Sequence, residues 1–394
     1  MVSISEELAL FARDLQFSEI PEKVIEAAKL HILDALGIAF PSSALLTTKL
    51  ATRTLHKLGG EMESTILIYG VKTSLPAATT ANGLLMEATE FDDLSERALL
   101  HPTAAILPAV LGIGELMNSS GKELLSAYVA GVEVMIRLGA AARGKFHQRG
   151  IQPTSVCGVV AAALAASKLL GLEEKQFANT LGISVNFAFG SSLTVRVGPY
   201  ATAVDPGRAA ESGVLAAYLA REGLEALADT PIEGRFGLLE TYAGPGNYDL
   251  NLVTKDLGTV WEIRNTFIKR YPLGYDFTRF IDAALTLREK IGSDVENIAE
   301  IAYGDTSDRI PVFSEPAAEK RIPKTMYDAK TSRYFVIAAA IVTGKITIET
   351  FTATTIRDHS RILHLAAKTK YVVDGKSQWV EVKMKDGRSF RSVQ

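Results

Sequence analysis

The most reactive-looking stretch of the sequence is ATEFDDLSERALLHPTAA, residues 88–105, which crowds carboxylates ahead of a His-Pro pair. If the preceding ANGLLMEATEFDD is helical, Asp92 lies beside its inward face. Pro102 suits the first position of the next helix, whose positive end favours a neutral imidazole at His101. A neutral imidazole near a carboxylate is a usable acid/base pair near neutral pH. We predict that Asp92 and His101 are catalytic and that Asp93 binds substrate; a solvated acidic loop is the alternative.

A second candidate stretch, RNTFIKRYPLGYDFTRF, gathers cations and phenols around a proline and a glycine. A carboxylate-rich substrate is bound by such donors, and arginine offers bidentate recognition. The residues that we predict to contribute to a site for such a substrate are Lys269, Arg270, Tyr271 and Tyr275. A charged hinge between domains explains the same composition.

Two further segments have weaker signals. FHQRGIQPTSVCG reads as a turn entering a helix with Thr154 or Ser155 as its cap, and His147 is either a base or an exposed loop residue. SLTVRVGPYATAVDPGRAAESG supplies Arg196 and Arg208 as possible substrate cations, and PGRAA resembles a helix start that could hold an anion. The glycine spacing of a phosphate loop is missing.

The pattern of elements changes along the chain. Residues up to about 255 read as helices rich in alanine and glycine, whereas later segments mix helices with strands. IAEIAYGD is a strand candidate, and YVVDGKSQWVEVKMKDGRSFRSV alternates around two Asp-Gly turns, which is the hairpin signal. We predict a mostly α protein with a helical domain at 1–257 and a smaller α+β domain at 258–394.

Composition excludes several classes of function. The chain has 394 residues and a net charge of −3, which gives no nucleic-acid footprint. Cys157 is the only cysteine, so an intrachain disulfide and a cysteine-based zinc site are excluded. The N-terminus lacks the features of a signal peptide, and no uncharged apolar run reaches the ~18 residues of a membrane span. We predict a cytoplasmic protein without a membrane partner.

Taken in order, the motifs make this sequence similar to the MmgE/PrpD family, which includes 2-methylcitrate dehydratase, cis-aconitate decarboxylase and iminodisuccinate epimerase. The resemblance covers nearly the whole chain. The stretches that carry it are AKLHILDALGIAF, ANGLLMEATEFDD, HPTAAILPAVLGIGE, SAYVAGVEV, GIQPTSVCGVVAAALAASKLLGL, GRAAESGVLAAYLA, IKRYP and YDAKTSRYFVIAAAI. It implies a helical domain, an α+β lid, a homodimer, and chemistry without metal or cofactor on a small polycarboxylate.

Residue by residue, the resemblance shows agreement and departure. Asp92, Asp93, His101 and Pro102 match the acid-rich motif, and Lys269, Tyr271 and Pro272 match the K-x-[YF]-P motif. The departures are Glu90 for an Asp, Gln152 for a His, Thr202 for a common Lys, Asp205 for His or Asn, and Gly274 for Cys or His. We predict that Gln152 and Thr202 contact substrate from these positions. The chain also stops after DGRSFRS, before the family's usual C-terminal return to the helical domain.

The leading hypothesis is a hydro-lyase of the 2-methylcitrate dehydratase type. His101, oriented by Asp92, would move a proton beside a carboxylate, while Lys269 and Arg270 neutralise substrate charge and Tyr271 protonates the leaving hydroxide. Three alternatives stay open: an epimerase or isomerase, a decarboxylase, and a non-catalytic relative that binds a carboxylate ligand.

Overall fold

A computed structural model describes residues 2–193, 203–226, 230–305, 313–374 and 377–393. The chain divides into two compact units, residues 1–268 and 269–394. The division falls later than the predicted boundary after residue 257. Residues beyond that boundary stay with the first unit because Ile263 N donates to the buried Glu133 carboxylate and Phe267 pairs with Leu94.

Unit 1 is helical. Its described α-helices are α1 (Ile4–Asp14), α2 (Glu22–Ala44), α3 (Leu46–Leu58), α4 (Leu75–Glu87), α5 (Pro102–Met117), α6 (Gly121–Ala141), α7 (Lys145–Gln148), α8 (Pro153–Leu169), α9 (Glu174–Phe187), α10 (Asp205–Arg221), α11 (Leu238–Ala243) and α12 (Asn251–Thr254). A short antiparallel pair, β1 (Ser64–Ile66) and β2 (Val71–Thr73), joins α3 to α4.

Small residues let the central helices of unit 1 approach closely. A Cβ added at Gly158 of α8 would lie 3.0 Å from the Cβ of Ala105 on α5 and 3.2 Å from that of Ala209 on α10. At the crossing of α4 with α10, a Cβ on Gly83 would lie 2.3 Å from the Cα of Gly207. Backbones can pack this tightly only where side chains are absent or minimal, so the alanine-rich pattern sets the spacing of the helices that position the site.

The helix ends test several predictions. His101 is the N-cap residue of α5, as predicted, and Gly171 follows α8 with φ +65°. The helix expected through residue 93 was wrong in its last turn: α4 ends at Glu87, and Glu90 has φ +54°. The predicted cap of α8 was also wrong, because Gln152 occupies the N-cap position.

Unit 2 is an α+β unit, which confirms the predicted fold class. Its described α-helices are α13 (Thr278–Ile291), α14 (Ala317–Lys320), α15 (Met326–Lys330), α16 (Arg333–Thr343), α17 (Ala353–Asp358) and α18 (Ser360–Lys368). Its strands are β3 (Ile298–Asp305), β4 (Thr369–Val373), β5 (Trp379–Met384) and β6 (Ser389–Val393). They form one sheet in the order β4-β3-β5-β6, in which β3 and β4 are parallel.

Only one of the two predicted hairpins forms. β5 and β6 pair in antiparallel fashion around Asp386-Gly387, with Val382 opposite Phe390. The hairpin expected at Asp374-Gly375 was wrong, because β3 lies between β4 and β5 and pairs with both. The strand predicted from IAEIAYGD is β3 itself, and it occupies a central position in the sheet.

One single helix among the described residues has the length and apolarity of a membrane span. Helix α6 is long and apolar enough to cross a bilayer, and 89% of its most apolar window is buried inside the protein. The bent pair α2 and α3 passes the same test only when taken as one span with a 97° bend. Such burial is typical of a core helix.

Candidate active site

The acidic stretch and the histidine meet at the start of α5. His101 is 24% exposed, whereas the Asp92 side chain is 3% exposed. The Asp92 Oδ2 atom lies 2.6 Å from His101 Nδ1, and the main-chain oxygen of Asp93 lies 2.8 Å from the same nitrogen. The predicted acid/base pair is therefore present in the structure, and the alternative of a solvated acidic loop does not describe it.

These contacts determine the tautomer of His101. A main-chain oxygen can only accept a hydrogen bond, and an ionised carboxylate can only accept, so Nδ1 carries the proton. In the neutral ring Nε2 then holds the lone pair. One nitrogen is fixed by the protein and the other is left for chemistry, which is the usual arrangement of a histidine that acts as a general acid or base.

Asp93, which we predicted to bind substrate, is buried beside this pair. Its side chain is 2% exposed and accepts from the Thr103 amide at 3.1 Å and from Thr103 Oγ1 at 2.5 Å. His31 Nδ1 lies 2.9 Å from Asp93 Oδ2, and the Tyr128 hydroxyl lies 2.6 Å from Thr103 Oγ1. This buried carboxylate therefore holds the loop against α2 and the start of α5, and its contact with substrate stays a prediction.

Sequence reasoning missed His31, Thr103 and Tyr128. His31 lies on the apolar α2, and its side chain is 4% exposed. A histidine buried within a hydrophobic helix needs a polar partner. The position of His31 in the apolar sequence of α2 was therefore the signal that could have identified it. Burial raises the pKa of Tyr128 well above its usual range.

Three long helices begin on the same side of unit 1. His101 N donates to Thr154 Oγ1 at 3.1 Å, which brings the starts of α5 and α8 together. One turn further on, Gly158 is close to both Ala105 and Ala209, so α5, α8 and α10 run in parallel from this end. Each has a proline in its first two positions. Their combined partial positive charge favours an anion near His101.

Two more titratable groups belong to this end of unit 1. Partial burial and the charge of His101 lower the pKa of His147, so the two imidazoles interact electrostatically. Burial raises the pKa of Asp205, in the first turn of α10, to about 6. A carboxyl group with that pKa can exchange a proton near neutral pH.

A metal ion is the other species that this site could hold. One donor atom each from Glu87, Asp92 and His101 lies within 4.8 Å of the others. Carboxylate and imidazole ligands suit several divalent ions. The sequence expectation of chemistry without metal therefore stays a prediction.

The remaining predicted residues of unit 1 are placed as follows. Gln152 is the half-buried N-cap of α8, and its side chain makes no capping hydrogen bond. Arg208 is half-exposed and pairs with Glu211 one turn along α10. Arg196 and Thr202 lie outside the described residues.

Unit 2 contains the predicted cations and phenols of its first segment. Lys269 is 8% exposed, and Tyr275 is half-buried in the 3₁₀ helix Tyr275–Phe277. Arg270 is largely exposed and pairs with Asp282 on α13. The Tyr271 hydroxyl donates to Asp282 Oδ1 at 2.8 Å. Burial and this hydrogen bond to Asp282 raise the pKa of Tyr271 to about 12.

Comparisons with known proteins agree with this description. The MmgE/PrpD N-terminal domain model matches residues 6–251, and the MmgE/PrpD C-terminal domain model matches residues 271–390. Cis-aconitate decarboxylase of Homo sapiens is 27% identical over 412 residues, covering 98% of this chain and 82% of the relative. Cis-aconitate decarboxylase of Aspergillus terreus is 30% identical over 278 residues, covering 68% of this chain and 56% of the relative.

A helical unit with a histidine–carboxylate pair, an α+β unit and decarboxylase relatives together define an enzyme of the lyase class. The chain belongs to the MmgE/PrpD family, as its motifs predicted.

Proposed function

We propose that the protein is a lyase acting on a small di- or tricarboxylate, and that its reaction is a decarboxylation of the cis-aconitate type. The observation that carries this proposal is the fixed tautomer of His101. The fixed tautomer leaves the Nε2 atom of His101 to exchange a proton. The starts of α5, α8 and α10 favour a bound carboxylate near this atom. The names of the relatives support the choice of reaction.

The proposed decarboxylation accounts for both the transferred proton and the electron pair of the broken bond. A substrate carboxylate leaves as CO₂, and the electron pair of the broken C–C bond moves through the adjacent C=C bond to the carbon beside a retained carboxylate, which becomes enolate-like. The protonated His101 delivers its Nε2 hydrogen to that carbon, and solvent restores the proton. Asp92 stabilises the imidazolium before transfer. The sequence prediction that Lys269 and Arg270 neutralise substrate carboxylates is carried into this proposal.

Dehydration of the 2-methylcitrate type has less support. It needs an acid for the departing hydroxide, and Tyr271 was the predicted one. That phenol instead donates its hydrogen to Asp282, and its pKa is raised to about 12. Such a group is a weak acid near neutral pH.

Epimerisation is a second candidate, and one observation favours it. Inverting a carbon needs a proton donor and an acceptor on opposite faces of the substrate. Asp205, with its pKa raised to about 6, could serve as the second group beside His101. Asp205→Asn would abolish epimerisation and leave decarboxylation with most of its rate.

The reaction can be identified by ¹³C NMR of the wild-type protein with ¹³C-labelled cis-aconitate, 2-methylcitrate and iminodisuccinate. We expect labelled CO₂ and a decarboxylated product from cis-aconitate. Loss of water from 2-methylcitrate would identify a dehydratase, and inversion of iminodisuccinate would identify an epimerase. No reaction of any of the three would contradict the proposed lyase function on this class of substrate.

A homodimer, which the family resemblance implies, is also part of the proposal. Leu30, Leu33 and Phe40 follow one face of α2 and are 57%, 66% and 64% exposed, and Leu46 on α3 is 70% exposed. A contiguous apolar surface of this kind favours association, and a second copy of the chain is the proposed partner.

We expect Leu33→Glu to convert the dimer into a monomer, because a buried carboxylate would be left without a partner. Light scattering after size-exclusion chromatography measures the mass. Leu215→Glu is the matched control, since Leu215 is exposed on α10. A monomeric wild type would contradict the dimer, and a dimeric Leu33→Glu variant would exclude this surface. The cytoplasmic location stays a prediction.

A further inference from the structure

His31 is a buried polar residue that the proposed reaction does not use. It lies in α2, and its side chain is 4% exposed among apolar neighbours such as Ala28 and Ala35. Burying an imidazole costs free energy unless its ring nitrogens have hydrogen-bonding partners. The partners of His31 therefore indicate why a histidine occupies this position.

The measured contact of the ring is with a carboxylate: His31 Nδ1 lies 2.9 Å from Asp93 Oδ2, and both side chains are buried. The main chain of Ile263 also raises the pKa of His31. An imidazolium at this distance from an ionised carboxylate forms a buried ion pair, in which each charge compensates the other.

His31 joins the two chain segments that flank the proposed chemistry. Asp93 also provides the main-chain oxygen that accepts from His101 Nδ1. Ile263 belongs to the segment 261–268, which pairs with the acidic loop through Leu94 N to Phe267 O at 2.9 Å and Phe267 N to Leu94 O at 2.8 Å. That segment runs directly into Lys269 in the sequence.

We propose that His31 is a positioning residue which, as an imidazolium, holds Asp93 so that its main-chain oxygen fixes the tautomer of His101. The geometric part of this proposal concerns the folded protein alone, and only its effect on turnover rests on the proposed function. Removing His31 would leave the buried Asp93 carboxylate with Thr103 as its remaining side-chain partner among the described residues, while the Leu94–Phe267 hydrogen bonds would still join the loop to segment 261–268.

The surroundings of His31 support the charged form. Burial lowers its pKa, but the hydrogen bond to Asp93 and the charges of Asp93 and Asp34 outweigh burial, so its pKa is raised above the usual value. The charges of Asp93 and Asp34 also act on Tyr128 of α6, and Glu262, the residue before Ile263, is paired with Arg97.

The sign of the resulting pH dependence follows from linkage. A histidine whose pKa is raised on folding contributes stability that is fully present below the unfolded value of about 6.5. That contribution is lost as the pH rises through the folded value. The difference in stability between the wild type and His31→Asn should therefore be largest in mild acid and should shrink as the pH rises.

Imidazole ¹⁵N NMR of histidine-labelled protein tests the proposal without a substrate. The chain has six histidines, so single His→Asn variants assign the signals. In the wild type at pH 6 we expect His31 to be protonated on both nitrogens and His101 to carry its hydrogen on Nδ1. In His31→Leu the Nδ1–H signal of His101 should give way to mixed tautomers, and His31→Asn should restore it in part.

Steady-state kinetics give a second test, because kcat would not change in this way if His31 had only a structural role. We expect kcat of His31→Leu to fall about tenfold or more at an unchanged KM, with partial rescue in His31→Asn. A neutral His31 in the wild type at pH 6 would overturn the proposal, and this result does not depend on whether a variant folds. A folded His31→Leu variant whose His101 keeps a single Nδ1–H tautomer would also overturn it. An inactive wild type with the expected tautomers would count against the proposed function alone.

Discussion

His101→Gln is expected to lower turnover about 10²- to 10⁴-fold, which is the usual effect of losing a general acid or base. Glutamine keeps a donor for the Asp93 main-chain oxygen and the carboxylate of Asp92, so the loop keeps a partner. It has no group that can deliver a proton to carbon near neutral pH. The loss should therefore appear in kcat more than in KM.

Steady-state kinetics with the substrate identified by NMR measure this effect. His364→Gln is the matched control, because His364 is exposed on α18 and has no role in the proposed chemistry. We expect the control to keep wild-type kinetics. If His101→Gln turned over within a few-fold of wild type, His101 would not be the group that transfers the proton.

Asp305→Asn is expected to lower the free energy of unfolding by about 3–5 kcal/mol, because it leaves a buried charge without its partner. Arg333 and Asp305 are both 0% exposed and form an ion pair in unit 2. Gln378 donates to the other Asp305 oxygen at 2.9 Å, and the Phe280 ring centroid lies 4.6 Å from the guanidinium. Water cannot replace the lost carboxylate in this environment.

Urea unfolding followed by tryptophan fluorescence measures this change. The chain has two tryptophans, and Trp261→Phe leaves Trp379 of β5 as the only reporter. Asp358→Asn, made in the same background, is the control because its partner Arg357 is an exposed neighbour on α17. Equal midpoints for Asp305→Asn and Asp358→Asn would show that the buried pair adds nothing to stability.

Local signals in the sequence were sufficient to predict the elements that carry the site. Pro102 after His101 predicted where α5 begins, and glycines with positive φ follow α8 and α10 as expected. These features depend on residues that are neighbours along the chain, so their physical preferences can be read directly from the sequence. The order of the motifs along the chain also predicted the family to which the protein belongs.

Contacts between distant segments could not be predicted in this way. The hairpin at Asp374-Gly375 was wrong because β3 enters the sheet between β4 and β5. The contact of His31 with Asp93 depends on how α2 packs against the acidic loop, and nothing in the local pattern of either segment specifies it. The hydrogen bond from Tyr271 to Asp282 likewise depends on how α13 packs against the preceding segment, which the local pattern does not specify.

In the proposed reaction the Nε2 atom of His101 transfers a proton to or from carbon beside a substrate carboxylate. Deuterium incorporation in D₂O tests it most directly, with cis-aconitate, wild-type protein and His101→Gln at equal concentration. With wild type we expect one deuterium in the decarboxylated product, on the carbon beside a retained carboxylate that receives the proton, and incorporation slowed by at least about 10² in the variant. Equal incorporation by both proteins would contradict it.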